Sequence, residues 1–323
     1  MLSRTADHLF WMARYTERAE NTARMLDVLI QNALMPQSPR AAEQGWRALL
    51  GISELEHAFD EEYPALTQRD VIDFMVRDPN NPSSIASCLK AARENARAVR
   101  GTLTTEVWET ANTTWIEMQQ HMKGELLKQN PGQFFEWVKY RSHLSRGVTL
   151  GTMLQDEAVN FMRLGTFLER ADNTARILDV KFLAAAQNSE AIDPDPQREF
   201  YYWAALLRSV SAFEVYRKVY RDVITPARVA ELLILQPNMP RSLLACMSGV
   251  VANLNDVGNK LSRETERFAG QLHAKLAFAS IDDILEQGLH DYLTEFLSCI
   301  NELGNRLSSN FLVPLETEAE AAA

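Results

Sequence analysis

The sequence predicts an all-helical protein, a tandem-duplicated bundle with about six helices in each copy. Three observations carry this. Glycine and proline are sparse, at 13 and 12 of 323 residues, too few for the hairpins of an all-β chain of this length. Alanine, leucine, glutamate and arginine, all good helix formers, dominate. No window shows sustained period-two alternation, which leaves no candidate strand.

The elements follow in order. A long helix is expected from Ser3, a plausible N-cap, to Ala33, with Pro36 stopping it. A second is expected over 41–59 and a short third over 68–76, ending at the turn Pro79–Pro82. A fourth, capped by Ser83, runs over 83–100, and two more over 105–128 and 132–146. The second half begins again with a long helix over 155–186. Helices over 196–220, 226–235 and 240–269 then match the second, third and fourth, and a last long helix covers 281–309.

The repeat is visible in the residues themselves. YTERAENTARMLDV at 15–28 and FLERADNTARILDV at 167–180 share ten of fourteen residues at an offset of 152. Pro79-Asn80-Asn81-Pro82-Ser83-Ser84 pairs with Pro237-Asn238-Met239-Pro240-Arg241-Ser242 at an offset of 158, which sets Cys88 on Cys246. The growth in offset requires an insertion, and QNSEAIDPDP at 187–196, longer than MPQSPR at 35–40, is its natural place. Met1 falls on Met153. The expected organisation is a first repeat at 1–152, a second at 153–313 and a disordered tail at 314–323, with the repeats either separate or interleaved around one core. The period is far longer than that of a solenoid.

On a helical wheel of about 100° per residue, Glu17, Asn21, Arg24 and Val28 share one face. Glu20 and Asp27 lie to one side, Arg18 and Thr22 point sideways, and Ala19, Ala23 and Leu26 lie opposite. The second long helix repeats this with Glu169, Asn173, Arg176 and Val180, flanked by Asp172 and Asp179, with Arg170 and Thr174 beside them and Ala171, Ala175 and Leu178 opposite. Surface charges are nearly interchangeable energetically, so retention of both sets within one chain means that something constrains them. The candidate site is therefore the polar stripe Glu17, Arg18, Asn21, Arg24, Asp27, Glu169, Arg170, Asn173, Arg176 and Asp179. It is expected either to form a buried network fixing helix packing or to line a groove that receives a carboxylate, a peptide terminus or a partner helix. Glu17 or Glu169 as an acid/base catalyst is the third reading. The buried reading has Glu17 joined to Arg24 through Asn21, Glu169 to Arg176 through Asn173, or each glutamate to an arginine of another helix such as Arg97 or Arg100. The alanine stripe is expected where the two long helices cross.

Other chemistries find little support. Di-metal bundles need Glu-x-x-His on two helices; Glu54 and His57 have that spacing, but the second copy has no equivalent, so no metal is expected. No phosphate-binding glycine loop and no GxSxG elbow occurs, and neither a cofactor nor a catalytic residue is assigned. A net charge of −10 argues against nonspecific nucleic-acid binding. Phe134-Phe135-Glu136-Trp137 and Phe200-Tyr201-Tyr202-Trp203 read as core and interface aromatics. Cys88, Cys246 and Cys299 form no disulfide pattern and read as buried thiols. With no secretory leader and no run of about 18 apolar residues, a cytoplasmic location and no membrane span are expected.

A helical duplication whose copies each carry a Glu-Arg step, Glu17-Arg18 and Glu169-Arg170, resembles the bacterial alpha-E family. The stronger signal is the duplicated ERA-[ED]-NTAR-[MI]-LDV, and the resemblance spans essentially the whole chain. It implies an all-helical fold and a place beside circularly permuted ATP-grasp ligase-like and transglutaminase-like proteins in a bacterial peptide synthesis or modification system. The implied role is a non-catalytic helical partner or scaffold, against the alternatives of an enzyme acting on an amino acid or peptide and of a structural interaction module. Ala13-Arg14-Tyr15 faces Gly165-Thr166-Phe167, so any role of an arginine at that position is confined to the first copy.

Overall fold

The computed structural model describes residues 1–33, 39–188 and 196–312, and all of its regular structure is helical. The order is α1 (Ser3–Ala33), α2 (Pro39–Ile52), α3 (Glu56–Glu62), α4 (Gln68–Arg77), α5 (Ile85–Ala98), α6 (Thr105–Lys123), α7 (Leu126–Gln129) and α8 (Pro131–Thr152). It continues with α9 (Glu157–Asn188), α10 (Pro196–Ser209), α11 (Phe213–Tyr220), α12 (Pro226–Leu235), α13 (Leu243–Val257), α14 (Arg263–Ala277), α15 (Ile281–Gln287) and α16 (Leu289–Phe311). The expected insertion around 187–196, the stop at Pro36 and the tail at 314–323 lie wholly or largely outside the described residues.

The described residues thus hold eight helices in each half rather than six, because several expected helices are broken. The helix expected over 41–59 stops at Ile52, where Glu54 takes a left-handed φ of 56°. There Leu55 N–H donates to the Leu50 carbonyl at 2.9 Å and Glu54 N–H to Gly51 at 3.0 Å, the paired bonds of a Schellman turn. The same turn recurs at Ser211 (φ 54°), with Ala212 donating to Leu207 at 2.7 Å and Ser211 to Arg208 at 3.0 Å. It separates α10 from α11. Gly288, at φ 105°, splits the last expected helix into α15 and α16. The helices expected over 105–128 and 240–269 likewise break after Lys123 and Val257.

Caps also recur. Thr67 accepts from Asp70 N–H, and Thr225 from Arg228 N–H. Ser84, not the expected Ser83, accepts from Ser87 N–H, and Ser242 from Ala245 N–H. Each fixes a helix start by satisfying a donor that the first turn leaves free.

α1 and α9 are the central pair. They pack on each other, α1 is flanked by α5 and α8, and α9 by α13 and α16. The second helix of each half packs more on the long helix of the opposite half, α10 on α1 and α2 on α9, than on its own. One continuous apolar core results, with Leu9, Leu26, Leu49, Phe74 and Phe135 from the first half and Leu164, Trp203, Tyr216, Leu233 and Leu293 from the second. Of the two aromatic groups, Phe134, Phe135 and Trp203 are core residues, whereas Phe200 and Tyr201 are exposed. Cys88 and Cys246 are buried, and burial pushes both thiols up to about 12; Cys299 is only half-buried. No helix among the described residues is long and apolar enough to cross a membrane.

The long helices cross through glycine rather than through the alanine stripe. A Cβ at Gly165 would stand 2.3 Å from the Phe10 carbonyl oxygen. Ala19 instead lines a small hollow with Leu89, Ala92, Val107 and Ser142, turned toward α5, α6 and α8. Gly165→Ala should force α1 and α9 apart and cost about 1–3 kcal/mol in chemical denaturation; a variant as stable as the parent would show that the close approach is not needed.

Candidate functional site

Buried charge sits at the middle of the α1–α9 pair. Glu17, on α1, is 1% exposed and faces Arg170 on α9, whose Nε and Nη2 donate to its two oxygens at 3.0 and 2.9 Å. Arg18, the next residue on α1, reaches Glu169 on α9, with Nε and Nη2 donating at 2.6 and 3.0 Å. The two Glu-Arg steps therefore exchange partners across the crossing, each glutamate taking the arginine of the other helix through two parallel bonds. This is the geometry of an isologous contact made with bidentate arginine–carboxylate pairs.

Further arginines close each side. On the Glu17 side, Arg241, from the turn before α13, donates Nη1 to Glu17 and to Asn21 Oδ1, both at 2.8 Å, and Nη2 to Glu20 at 2.7 Å. Arg146 on α8 donates Nη1 to Glu17 at 3.0 Å and to Glu20 at 2.6 Å. Ser142 donates to Glu20 at 2.6 Å. Glu20, itself fully buried, also takes Nε and Nη2 of Arg24 at 2.9 and 2.7 Å. In the second half, Arg14 donates Nε to Glu169 at 2.8 Å, so the arginine found at that position only in the first copy does serve the second copy's glutamate. Arg176 donates Nε to Asp172 at 2.8 Å.

The outer ends of Arg24 and Arg176 are again exchanged. Arg176 Nη1 donates to Glu54, and Arg24 Nη1 donates to Ser211 Oγ at 2.5 Å. These acceptors are the two left-handed residues of the α2–α3 and α10–α11 turns. A non-glycine residue in that conformation is uncommon, and here the turn presents its side chain to the long helix of the opposite half. Asp27 and Asp179 are held by the last long helix of their own half, Asp27 taking Lys139 Nζ at 2.8 Å and Asp179 meeting His290 Nδ1 at 2.6 Å.

The stripe is thus real in space but organised differently from expectation. Glu17 does not join Arg24; each pairs elsewhere, and Asn21 serves Arg241. Glu169 likewise does not join Arg176, and Asn173, half-buried, makes no bridge between them. Arginines of other elements do meet the glutamates, but they are Arg170, Arg18, Arg14, Arg146 and Arg241. Arg97 instead pairs with Glu94, and Arg100 lies over the Trp108 ring. Glu20, Asp172, Arg146, Ser142 and Arg241 escaped the candidate set. For Glu20 and Asp172 a signal existed, an acid four residues before an arginine on one helix; Arg146, Ser142 and Arg241 come from distant elements.

Electrostatics follow from this packing. Burial pushes the Glu17 carboxyl up, but Arg170 and Arg241 more than reverse it and hold it below its usual range. Glu20 lies well below, burial being overcome by Arg241, Arg146 and Arg24. Glu169 falls to about 2, burial being outweighed by Arg14 and Arg18. Asp172 goes the other way: burial raises it and Arg176 offsets this only in part. Glutamates held ionised with both oxygens engaged by guanidinium groups are poor proton acceptors. Among the described residues no group of three or more His, Cys, Asp or Glu side chains converges on a point where a metal ion would sit.

Orphaning a buried charge costs roughly 3–5 kcal/mol, so Glu17→Ala should lower unfolding stability by that amount. Glu169→Ala should cost less, because Arg14 and Arg18 are 19% and 27% exposed and can turn to water. Equal losses, or a Glu17→Ala loss under about 1 kcal/mol as for a surface pair, would contradict the burial argument. The depressed glutamates also set an acid limb. A carboxyl with a lowered folded-state pKa adds stability above its unfolded value, near 4.5, and loses it as pH falls through the folded value, about 2 for Glu169. Denaturant midpoints should therefore fall from about pH 4.5 to pH 2, and Glu169→Gln should flatten part of that fall.

The comparisons with known proteins agree with this architecture. The Alpha-E family, described as a predicted alpha-helical domain with a conserved ER motif, matches residues 1–312. Uncharacterized proteins of Mycobacterium bovis and of two strains of Mycobacterium tuberculosis are each 24% identical over 92% of this chain. The chain spans only 35% of their length. No solved structure matches the chain. The Glu-Arg steps that trade partners between α1 and α9 are consistent with that description, and the chain belongs to the Alpha-E family.

Proposed function

We propose that the protein is a cytoplasmic, non-catalytic helical partner or scaffold in a bacterial peptide synthesis or modification system, working with a circularly permuted ATP-grasp ligase and a transglutaminase-like protein. In this reading residues 1–152 and 153–313 are two copies of one unit that fold as a single rigid body. The observation that carries it is the engagement of both Glu-Arg steps, with their glutamates buried, in one ion-pair network at the central helix crossing. Such a network serves shape rather than turnover. The alternative, Glu17 or Glu169 as acid or base, is disfavoured by the same geometry, since both are saturated by arginine and held ionised. The two hollows lined by Ala19 and by Lys181 are water-sized, and neither is lined by either glutamate.

Two features support a partner. The mycobacterial relatives carry roughly two thirds of their length outside the matched part, so there the unit is built into a longer polypeptide. On α8, Tyr140 and Leu144 are 68% and 44% exposed one turn apart, with the exposed Gly147 and Gly151 continuing the same face. An apolar strip with bare backbone suits a helix–helix contact. A reading as a general interaction module would share this strip without the ligase.

Co-purification with a circularly permuted ATP-grasp ligase of the same bacterium is the direct test. A complex at micromolar concentration is expected, and none would count against the proposal. Leu144→Asp should weaken that complex while leaving the unfolding free energy within about 0.5 kcal/mol of the parent, as for an exposed site; an unaffected complex would remove the α8 strip from the interface.

A further inference from the structure

The two halves of the network differ in charge. Around Glu17 and Glu20 stand four guanidinium groups, Arg24, Arg146, Arg170 and Arg241. The second half sets Arg14, Arg18 and Arg176 against Glu169, Asp172 and Glu54. The first cluster is thus left with two uncompensated positive charges, and the second is neutral. The difference is sharpest at the exchanged turns, where Arg176 meets the carboxylate of Glu54 and Arg24 meets only the hydroxyl of Ser211.

Donors without acceptors gather at that same place. His143, exposed on α8, has Nδ1 at 2.7 Å from Arg146 Nη2 and Nε2 at 3.4 Å from Arg24 Nη2. Guanidinium only donates, and a neutral imidazole has one donor and one acceptor nitrogen. In either tautomer one of these contacts sets donor against donor, and protonation sets both so. Asn21 Nδ2, buried in the same network, also has no acceptor among the described residues.

We propose that Arg24, His143, Arg146 and Ser211 form a surface site for an oxyanion, a carboxylate or a phosphate group. The ligand takes the place that the Glu54 carboxylate holds against Arg176 in the other half. It accepts from Arg24 Nη1, the counterpart of the Arg176 atom that meets Glu54, and from the His143 nitrogen that bears hydrogen, and the hydroxyl of the exposed Ser211 turns to donate to it. The second half supplies the internal precedent, a carboxylate borne on a left-handed residue of the matching turn. Charge excess, facing donors and the pseudo-symmetric stand-in all point to one ligand chemistry. The inference stands whether or not the chain has a ligase partner.

The test is an NMR titration of the full chain, following the His143 ring resonances. Its probes are inorganic phosphate, a short peptide with a free C-terminal carboxylate and the same peptide as its C-terminal amide. Saturable shifts with phosphate, with the free-acid peptide or with both are expected, and which of them binds identifies the source of the oxyanion. The amide should bind no better than background. Ser211→Glu builds into the first half the carboxylate that Glu54 supplies to the second. It should lower affinity at least about tenfold, the scale of one charge-assisted hydrogen bond, while preserving the helical circular dichroism. Should that variant misfold, His143→Ala, at an exposed position, is expected to weaken binding of either oxyanion probe, read by calorimetry. No saturable binding of phosphate or free acid, saturable binding of the amide equal to that of the acid, or affinity unchanged in both variants would each overturn the proposal.

Discussion

A buried carboxylate is costly unless every lone pair finds a donor, and a buried guanidinium is costly unless its fork meets an anion. In this protein the two requirements are met by each other across the α1–α9 crossing. Glu17 takes Arg170 and Glu169 takes Arg18, so neither long helix satisfies its own Glu-Arg step. Separating, sliding or rotating the helices would strand two ion pairs together. The surrounding order depends on that constraint. Gly165 lets the backbones approach closely enough for the side chains to reach, and α10 and α2 cross over to the opposite long helix. Their left-handed turn residues then meet the far ends of Arg24 and Arg176.

Pseudo-symmetry also explains why the two sides are not equally dry. Arg241 and Arg146 add to the first side, and the positions matching them at the offset of 158 are Ser83 and Gly304, which bring no charge. All three glutamates are buried, but on the first side Arg170 and Arg241 are buried with them and only Arg146 reaches solvent, whereas on the second both Arg14 and Arg18 do. Positive charge is thereby concentrated on one side and neutrality on the other. A helical body with a buried ion-pair centre and one chemically distinct face is the result.

Much of this was legible in the sequence, and the reasons are local. A composition poor in glycine and proline fixed the helical class, and Pro226 and Leu235 bound α12 as expected. The likeness of 15–28 to 167–180 drew attention to the residues that form the centre, because the crossing makes the same demand on both long helices. The wheel misled in one respect. It separated a polar stripe from an alanine face opposite and left open whether the stripe was buried or lined a groove, but α1 is buried on all sides from Ala19 to Asp27, so its polar side chains bind neighbours. The breaks at Glu54 and Ser211 carry no glycine or proline and gave no signal. Arg146, Ser142 and Arg241 reach the site from 120 or more residues away, where no local pattern records their destination.

The central claim is energetic: the exchanged Glu-Arg pairs are coupled, and that coupling holds the crossing together. A double-mutant cycle between Arg18 and Glu169, using Arg18→Met, Glu169→Gln and the combined variant in chemical denaturation, measures it most directly. The cycle cancels the separate desolvation of each group and leaves the pair. A coupling energy of about 1–3 kcal/mol is predicted, with the double variant less destabilised than the sum of the single ones. Additivity within about 0.5 kcal/mol would mean that the two side chains act independently, and would contradict the account.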